Sequence, residues 1–412
     1  MVPEGWALET VGNLFDAQLG KMLNKTAKEK HPQFPYLGNT NVKWGRINFD
    51  SLNTMYFSEK EREKFSLENG DILLCEGGEV GRCAIWKGKG EIYYQKALHR
   101  LRSKGRIIPE FFQAYMEKIS GTKVLDDLTT RTSIAHLTRE KLIELTIKLP
   151  PIAEQKKIAK TLSAWDKAIA TTEQLLINSE QQKKAIMQQL LTGKKRLPGF
   201  GSPGKGGFSR KGLPDEWDYE RVGNVAGEVA DRNKGQEEIP VLSCSKYDGF
   251  VDSLKYFKKK VYSDDTSNYK IIQFGEFGFP SNHVEEGSIG LQLTYDRGIV
   301  SPIYVVFRVD PSRIEPFFLY KVLKSDHYRQ VFAASTSASV DRRGSLRWKQ
   351  FSGIKVPLPS IEEQKAISRV IQLAEKEEEL LEHSLDRLRS EKKALMQQLL
   401  TGKRRVTIDG AE

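Results

Sequence analysis

Between Ile158 and Leu190 apolar positions recur with a period of 3.5 residues. Ile158, Leu162, Trp165, Ile169, Thr172, Leu176, Ser179, Lys183, Ile186 and Leu190 follow one another at steps of four and three. A second stripe with the same steps is Ile367, Ile371, Ala374, Glu378, Leu381, Leu385, Leu388, Lys392, Leu395 and Leu399. That period predicts two long helices, each with a coiled-coil seam that polar residues interrupt. Pro150–Pro151 opens the first helix, and Ser360 with Glu363 spells a capping box for the second. Thr192–Gly193 and Thr401–Gly402 supply glycine stops, with basic residues beside the negative helix ends. Each helix is about 60 Å long at 1.5 Å per residue.

The two stripes belong to one repeat. Leu149–Arg196 aligns without a gap on Leu358–Arg405, and 22 of the 48 positions are identical. Upstream, at an offset of 211, Pro3, Trp6, Glu9, Val11, Gly12 and Asn13 match Pro214, Trp217, Glu220, Val222, Gly223 and Asn224. The chain is therefore one unit of about 200 residues used twice. Its expected parts are a body at 1–148, a helix at 149–192, a linker at 193–212, a second body at 213–357, a second helix at 358–402 and a tail at 403–412. To bury both stripes, the helices must run antiparallel. The predicted object is a dumbbell with approximate two-fold symmetry.

Each body reads as a mixed α/β (α+β) fold with a shared order of elements. GDILLCEGG and GRCAIWKG read as strands, and IIPEFFQAYMEKI as a helix. The second body offers FGEFGFPS, GIVSPIYVVFRV and then EPFFLYKVLKS. The bodies have diverged almost beyond alignment, whereas the helix surfaces have not. Lys184, Gln188 and Gln189, with Lys393, Gln397 and Gln398 in the second copy, recur off the seam. A partner that docks twice accounts for this, so these six are the candidate partner contacts.

Charge adds a class of ligand. The net charge is +11, and the excess sits mainly in residues 1–200, with 32 Lys plus Arg against 23 Asp plus Glu. A polyanion such as nucleic acid suits that excess. The candidate contacts are Lys43, Trp44, Arg46, Arg100, Arg102 and the loop Arg131-Thr132-Ser133 in the first body. In the second they are Lys246, Tyr247, Asn282, His283, Arg342, Arg343, Ser345 and Arg347. Such side chains on loops serve phosphate contact and base-edge readout.

Catalytic signals are weak by comparison. Cys75, Cys83 and Cys244 lack metal-ligand spacing and fit a reducing cytosol, and the six histidines form no paired motif. GFGSPG in the linker fits GxGxxG but follows a helix instead of a strand. SPIY at Ser301–Tyr304 comes near a methyltransferase loop but has isoleucine for the second proline, and it reads as strand. No apolar run is long enough to span a membrane, and no secretory signal is visible at MVPEGWALET.

LPPIAEQKKI and LPSIEEQKAI, with KKAIMQQLLTGKKR and KKALMQQLLTGKRR, carry a family resemblance. So do GDILLCEGGEVGRCAI followed by LHRLR, and TSIAHLTREKLIELTIKLP. The chain resembles the specificity subunits of type I restriction–modification systems over essentially its whole length. GEFGFPSNHVEEGSIG departs from the pattern by lacking the usual basic residue. The resemblance implies that each body reads one half of a bipartite, asymmetric double-stranded DNA target. It implies that the helices set the gap and dock two modification subunits, with restriction subunits as further partners. This chain would itself catalyse nothing and hold no cofactor. S-adenosylmethionine, ATP and Mg would lie in the partner subunits, and the complex would be cytoplasmic. A spacer of ~60 Å suits a target on the order of 15 base pairs. The competing reading is a coiled-coil scaffold with two protein-binding heads.

Overall fold

Ile152–Leu190 and Ile361–Leu399 each form one unbroken α-helix of 39 residues. The computed structural model describes residues 2–88, 90–129, 136–201, 214–234, 239–282, 284–336 and 345–408. By contacts the chain divides into two units, Met1–Gln174 with Glu382–Glu412, and Leu175–Leu381. Each unit thus holds one body, the start of one long helix and the end of the other.

Both bodies centre on a four-stranded sheet. In the first, the order is Phe15–Leu19, Leu98–Ser103, Ile72–Cys75, Cys83–Ile85, all antiparallel. In the second it is Ala226–Val229, Tyr304–Val309, Phe277–Pro280, Gly290–Leu291, again antiparallel. A helix with proline at its first turn follows each sheet, Pro109–Ile119 and Pro316–Leu323. Proline suits that position, where its missing N–H has no partner to lose. Ser301-Pro302-Ile303, expected to be strand, instead makes the turn into the strand that begins at Tyr304. Pro302 has no N–H for a sheet ladder.

The short upstream repeat has a structural cause. Ala7–Thr10 pairs with Thr146–Leu149, and Asp218–Arg221 with Lys355–Leu358, each just ahead of a long helix. Asn13 Nδ2 donates to Glu9 at 3.2 Å, and Asn224 Nδ2 to Glu220 at 2.6 Å. Gly12 and Gly223 pass so close to the opposite chain that a Cβ would lie 3.2 Å from Ile143 and 3.0 Å from Ser352.

The polar residues of the helix motif form a clasp in each unit. Glu154 accepts from the Trp6 indole at 3.1 Å and from the Arg405 guanidinium. Glu363 accepts likewise from Trp217 at 3.0 Å and from Arg196. Both arginines lie against their tryptophan rings, at 5.9 and 5.7 Å. The neighbouring glutamines close three backbone gaps each. Gln155 accepts from Ile108 N and donates to the carbonyls of Arg106 and Pro150. Gln364 does the same with Glu315, Arg313 and Pro359. The expected capping box is half made: Ser360 Oγ accepts from Glu363 N, but the Glu363 carboxylate turns to the clasp.

In each unit the helix segments run in opposite directions. In the first, Asp166 meets Lys392 and Glu173 meets Arg389. In the second, Lys183 meets Glu378, and Arg196 meets Glu363. Every residue of both predicted seams is buried or half-buried. The polar interruptions Lys183, Glu378 and Lys392 are all ion-paired.

Candidate nucleic-acid interface

In the first body, Val42–Lys43 and Arg46–Ile47 form a two-stranded ribbon that turns at Gly45, with φ at +69°. Lys43 and Arg46 are exposed, while Trp44 is half-buried and donates from Nε1 to Glu79 at 2.6 Å. The ribbon edges an open cleft of about 720 Å³ that also meets Arg82, Glu117, Asp166 and Glu173. Its lining mixes cations with carboxylates, and Arg82 pairs there with Glu79. The exposed cations of the ribbon, not the cleft floor, are therefore what a polyanion can reach.

Arg100 and Arg102 were expected among the DNA contacts, but the structure uses them inside the fold. The Arg100 side chain is only 5% exposed and is paired with Asp16 at 2.7 Å. Arg102 grips buried Asp71 through Nε at 2.9 Å and a terminal nitrogen at 2.7 Å, with Glu68 at 2.6 Å. The hydrogen bonds to Asp71 push the Arg102 guanidinium above its ordinary pKa. Their strand, Leu98–Ser103, is a central one, so alternate side chains face a layer on each side.

Arg131, Thr132, Ser133, His283, Arg342 and Arg343 lie outside the described residues. The points where their loops rejoin the fold are described, and they correspond. Leu137 N donates to Glu76 O at 2.8 Å, and Leu346 N to Ser281 O at 2.7 Å. Glu76 and Ser281 each directly follow a central strand, Ile72–Cys75 or Phe277–Pro280. In the first body, buried His99 adds a bond from Nε2 to Leu137 O at 2.9 Å. Asn282 is half-buried beside this anchor in the second body, and Ser345 and Arg347 are exposed.

Lys246 and Tyr247 cap another ribbon, Leu242–Ser245 with Gly249–Asp252. Tyr247 is 81% exposed, and the Lys246 Nζ lies 5.4 Å from its ring centre. The composition of this tip was legible, but not its support from Ser245, Asp248, Tyr256 and Lys324. Ser245 and Asp248 belong to the tip itself and Tyr256 to the helix just after it, whereas Lys324 lies far along the chain and no spacing announces it.

Nothing in these surfaces resembles an activated nucleophile. All three cysteines are buried, and burial pushes the Cys83 thiol well up and Cys244 to about 12. Among the described residues, no group of three His, Cys, Asp or Glu is placed to hold a metal ion. No described helix is long and apolar enough to cross a membrane.

Residues 3–181 match the family described as "Type I restriction modification DNA specificity domain". A specificity subunit of the MjaVIII type I restriction enzyme of Methanocaldococcus jannaschii is 25% identical over 98% of this chain and 94% of its own. The Escherichia coli EcoBI specificity subunit is 24% identical over 77% of this chain and 69% of its own. The solved type I S subunit of M. genitalium superposes with a TM-score of 0.57 at 17% identity, covering 97% of this chain and 96% of that one. Over nearly its whole length the chain is thus similar to specificity subunits of type I restriction–modification systems.

The six residues expected to meet a partner are exposed. Lys184, Gln188 and Gln189 lie on the last turns of the first helix, and Lys393, Gln397 and Gln398 on those of the second. The glutamine carbonyls accept from Thr192 and Thr401, which closes the helix ends. Among the described residues, none of the six side chains has a hydrogen-bond or ion-pair partner.

Proposed function

We propose that this chain is the sequence reader of a type I restriction–modification complex. Each body reads one half of a bipartite, asymmetric DNA target, and the paired helices set the gap. The observation that carries the reading is the contrast between the two units. They share sheet order, clasp and loop anchors, yet differ in the residues exposed at corresponding places. A two-part reader needs one frame and two unlike surfaces. A protein-binding scaffold has no such need for cations on both.

The DNA contacts in this reading are Lys43, Arg46 and the Arg131 loop in the first body. In the second they are Lys246, Tyr247, Asn282 and the loop from Arg342 to Arg347. The recurring exposed faces at Lys184, Gln188 and Gln189, and at Lys393, Gln397 and Gln398, dock one modification subunit each. Methyl transfer from S-adenosylmethionine and ATP- and Mg-dependent motor and nuclease work belong to those partners and to the restriction subunits. The chain contributes choice of site, in the cytoplasm.

Mapping methylated adenines in cells that express the chain with its modification subunit tests this. The expected result is one asymmetric motif in two halves with a fixed gap. Arg131→Ala and Arg342→Ala should each relax a different half and leave the other intact. Methylation without a two-part motif, or none at all beside a complex that assembles normally, would refute the assignment. A scaffold would also give no DNA retention at physiological salt, whereas a reader's binding weakens steeply as salt rises.

A further inference from the structure

We infer that the ribbon Leu242–Ser245/Gly249–Asp252 enters the major groove of its half-site tip first, with Tyr247 as a specificity-determining residue. The inference rests on the DNA-reading function proposed above and assigns the element and the side chain that read.

Four observations carry it. A two-stranded ribbon fits the roughly 12 Å width of the major groove, and this one forms a sheet of its own. Its tip presents a large aromatic ring to solvent at 81% exposure. Such a ring has base edges and the thymine methyl to meet in that groove.

The tip backbone is held from both sides. Half-buried Lys324 donates from Nζ to the carbonyls of Lys246 at 2.7 Å and Gly287 at 2.9 Å. Asp248 Oδ2 accepts from Ser245 Oγ and from Tyr256 OH, both at 2.9 Å. Ser245 Oγ in turn accepts from the backbone N–H groups of Tyr247 and Asp248 at 3.3 Å. One pair back from the tip, Tyr304 OH accepts from Cys244 N at 2.9 Å. A phosphate contact tolerates a mobile lysine. Discrimination between base edges needs a fixed approach, and this frame supplies one.

The fourth observation is charge. Asp248 puts a carboxylate on the tip, which disfavours a phosphate and suits a groove where cytosine N4 offers a donor. Lys246 stands beside Tyr247 at the tip, and three further lysines, Lys255, Lys258 and Lys259, are exposed on and just after the helix that follows the ribbon. That order places phosphate contacts on the flanks and base contacts at the tip. Tyr247 is then the reader, and Asp248 is a positioning residue acting through it.

The test uses the purified complex of this chain with its modification subunit. Equilibrium binding is measured on the target duplex, defined by adenine mapping, and on duplexes with each base pair changed in turn. Low salt keeps every duplex within range, because phosphate contacts strengthen there. For the wild type, each changed pair that is read should weaken binding by about 5- to 150-fold. With Tyr247→Ala that ratio should fall close to one at one or two adjacent pairs of a single half-site and hold elsewhere. Asp248→Asn should reduce the ratio at those same pairs only, whereas a merely structural role would lower it across the half-site. Tyr247→Ala ratios that all persist, or that vanish throughout a half-site, would overturn the inference. A wild-type complex that discriminates nowhere would instead overturn the DNA-reading function itself.

Discussion

Removal of the clasp carboxylate in the second unit has a calculable cost. Glu363 is 1% exposed and receives the Trp217 indole and two nitrogens of Arg196, whose side chain is 20% exposed. Glu363→Ala leaves the indole N–H without its acceptor and that guanidinium with only the exposed Glu216. Breaking a buried pair from one side costs about 3–5 kcal/mol, and the partial exposure of Arg196 places this case near the lower end. Arg196→Ala should cost more than a surface truncation, because it leaves the enclosed carboxylate with only the indole. The pair therefore makes a double-mutant cycle, with an expected coupling above about 1.5 kcal/mol. Hydrogen exchange resolved along the chain gives the readout. Amides at 217–225 and 186–191, which pack on the clasp and its core, should lose protection in either single variant. The double variant should be little worse than the worse single one. A coupling under about 0.5 kcal/mol, the scatter expected of independent sites, would refute the claim that these groups act as one clasp.

Two further outcomes follow from the same physics. Lys392 has a side chain 8% exposed, between Glu117 and Asp166; burial lowers its pKa, but hydrogen bonds to both carboxylates outweigh that and raise it. In urea unfolding Lys392→Ala should destabilise the first unit by about 3 kcal/mol and Lys392→Met by less, because methionine keeps the packing of the stem while losing the same charge, and in the wild type this stabilisation should persist below pH 10.5 and fade as pH rises further. Burial drives the His99 pKa below its ordinary 6.5, only partly offset by the bond to Leu137 O and by Glu76 and Glu140. The unfolded chain then takes up the proton first, so stability should fall as pH drops below 6.5; His99→Gln, which keeps a donor for Leu137 O, should flatten that slope in unfolding curves taken from pH 7.5 to 5.

The helices were legible because their signal is local and repeated. The seam at steps of four and three depends on one helix's own geometry, and each seam residue is buried or half-buried as the period requires. The sheet strands were legible as runs but not as an order. The pairing of Leu98–Ser103 with Phe15–Leu19 joins positions far apart in the chain. Arg100 and Arg102 show the price of that gap. As sequence they are cations in a basic cluster, and only the sheet brings Asp16 and Asp71 to them. Tyr247 shows the converse. Its exposure follows from a tight ribbon turn, and the turn's stiffness comes from Lys324, 77 positions later.

The clasp also changes what the repeat means. Recurrence of the helix motif pointed to a docked partner, yet much of it is explained within each unit. Trp6, Glu154, Gln155 and Arg405, like Trp217, Glu363, Gln364 and Arg196, join a body's first strand to one helix start and one helix end. Pro3 and Pro214 pack on Gly402 and Gly193, where positive φ and contacts under 3 Å leave no room for a Cβ. Those residues recur because the same joint is built twice. Lys184, Gln188, Gln189 and their counterparts remain outside that joint, on exposed turns. The restraint therefore has two sources on one helix. Its inner face carries the clasp and seam, and its outer face carries the exposed residues proposed above to dock a partner. Substitutions on the inner face should cost stability, while those on the outer face should cost assembly at unchanged stability.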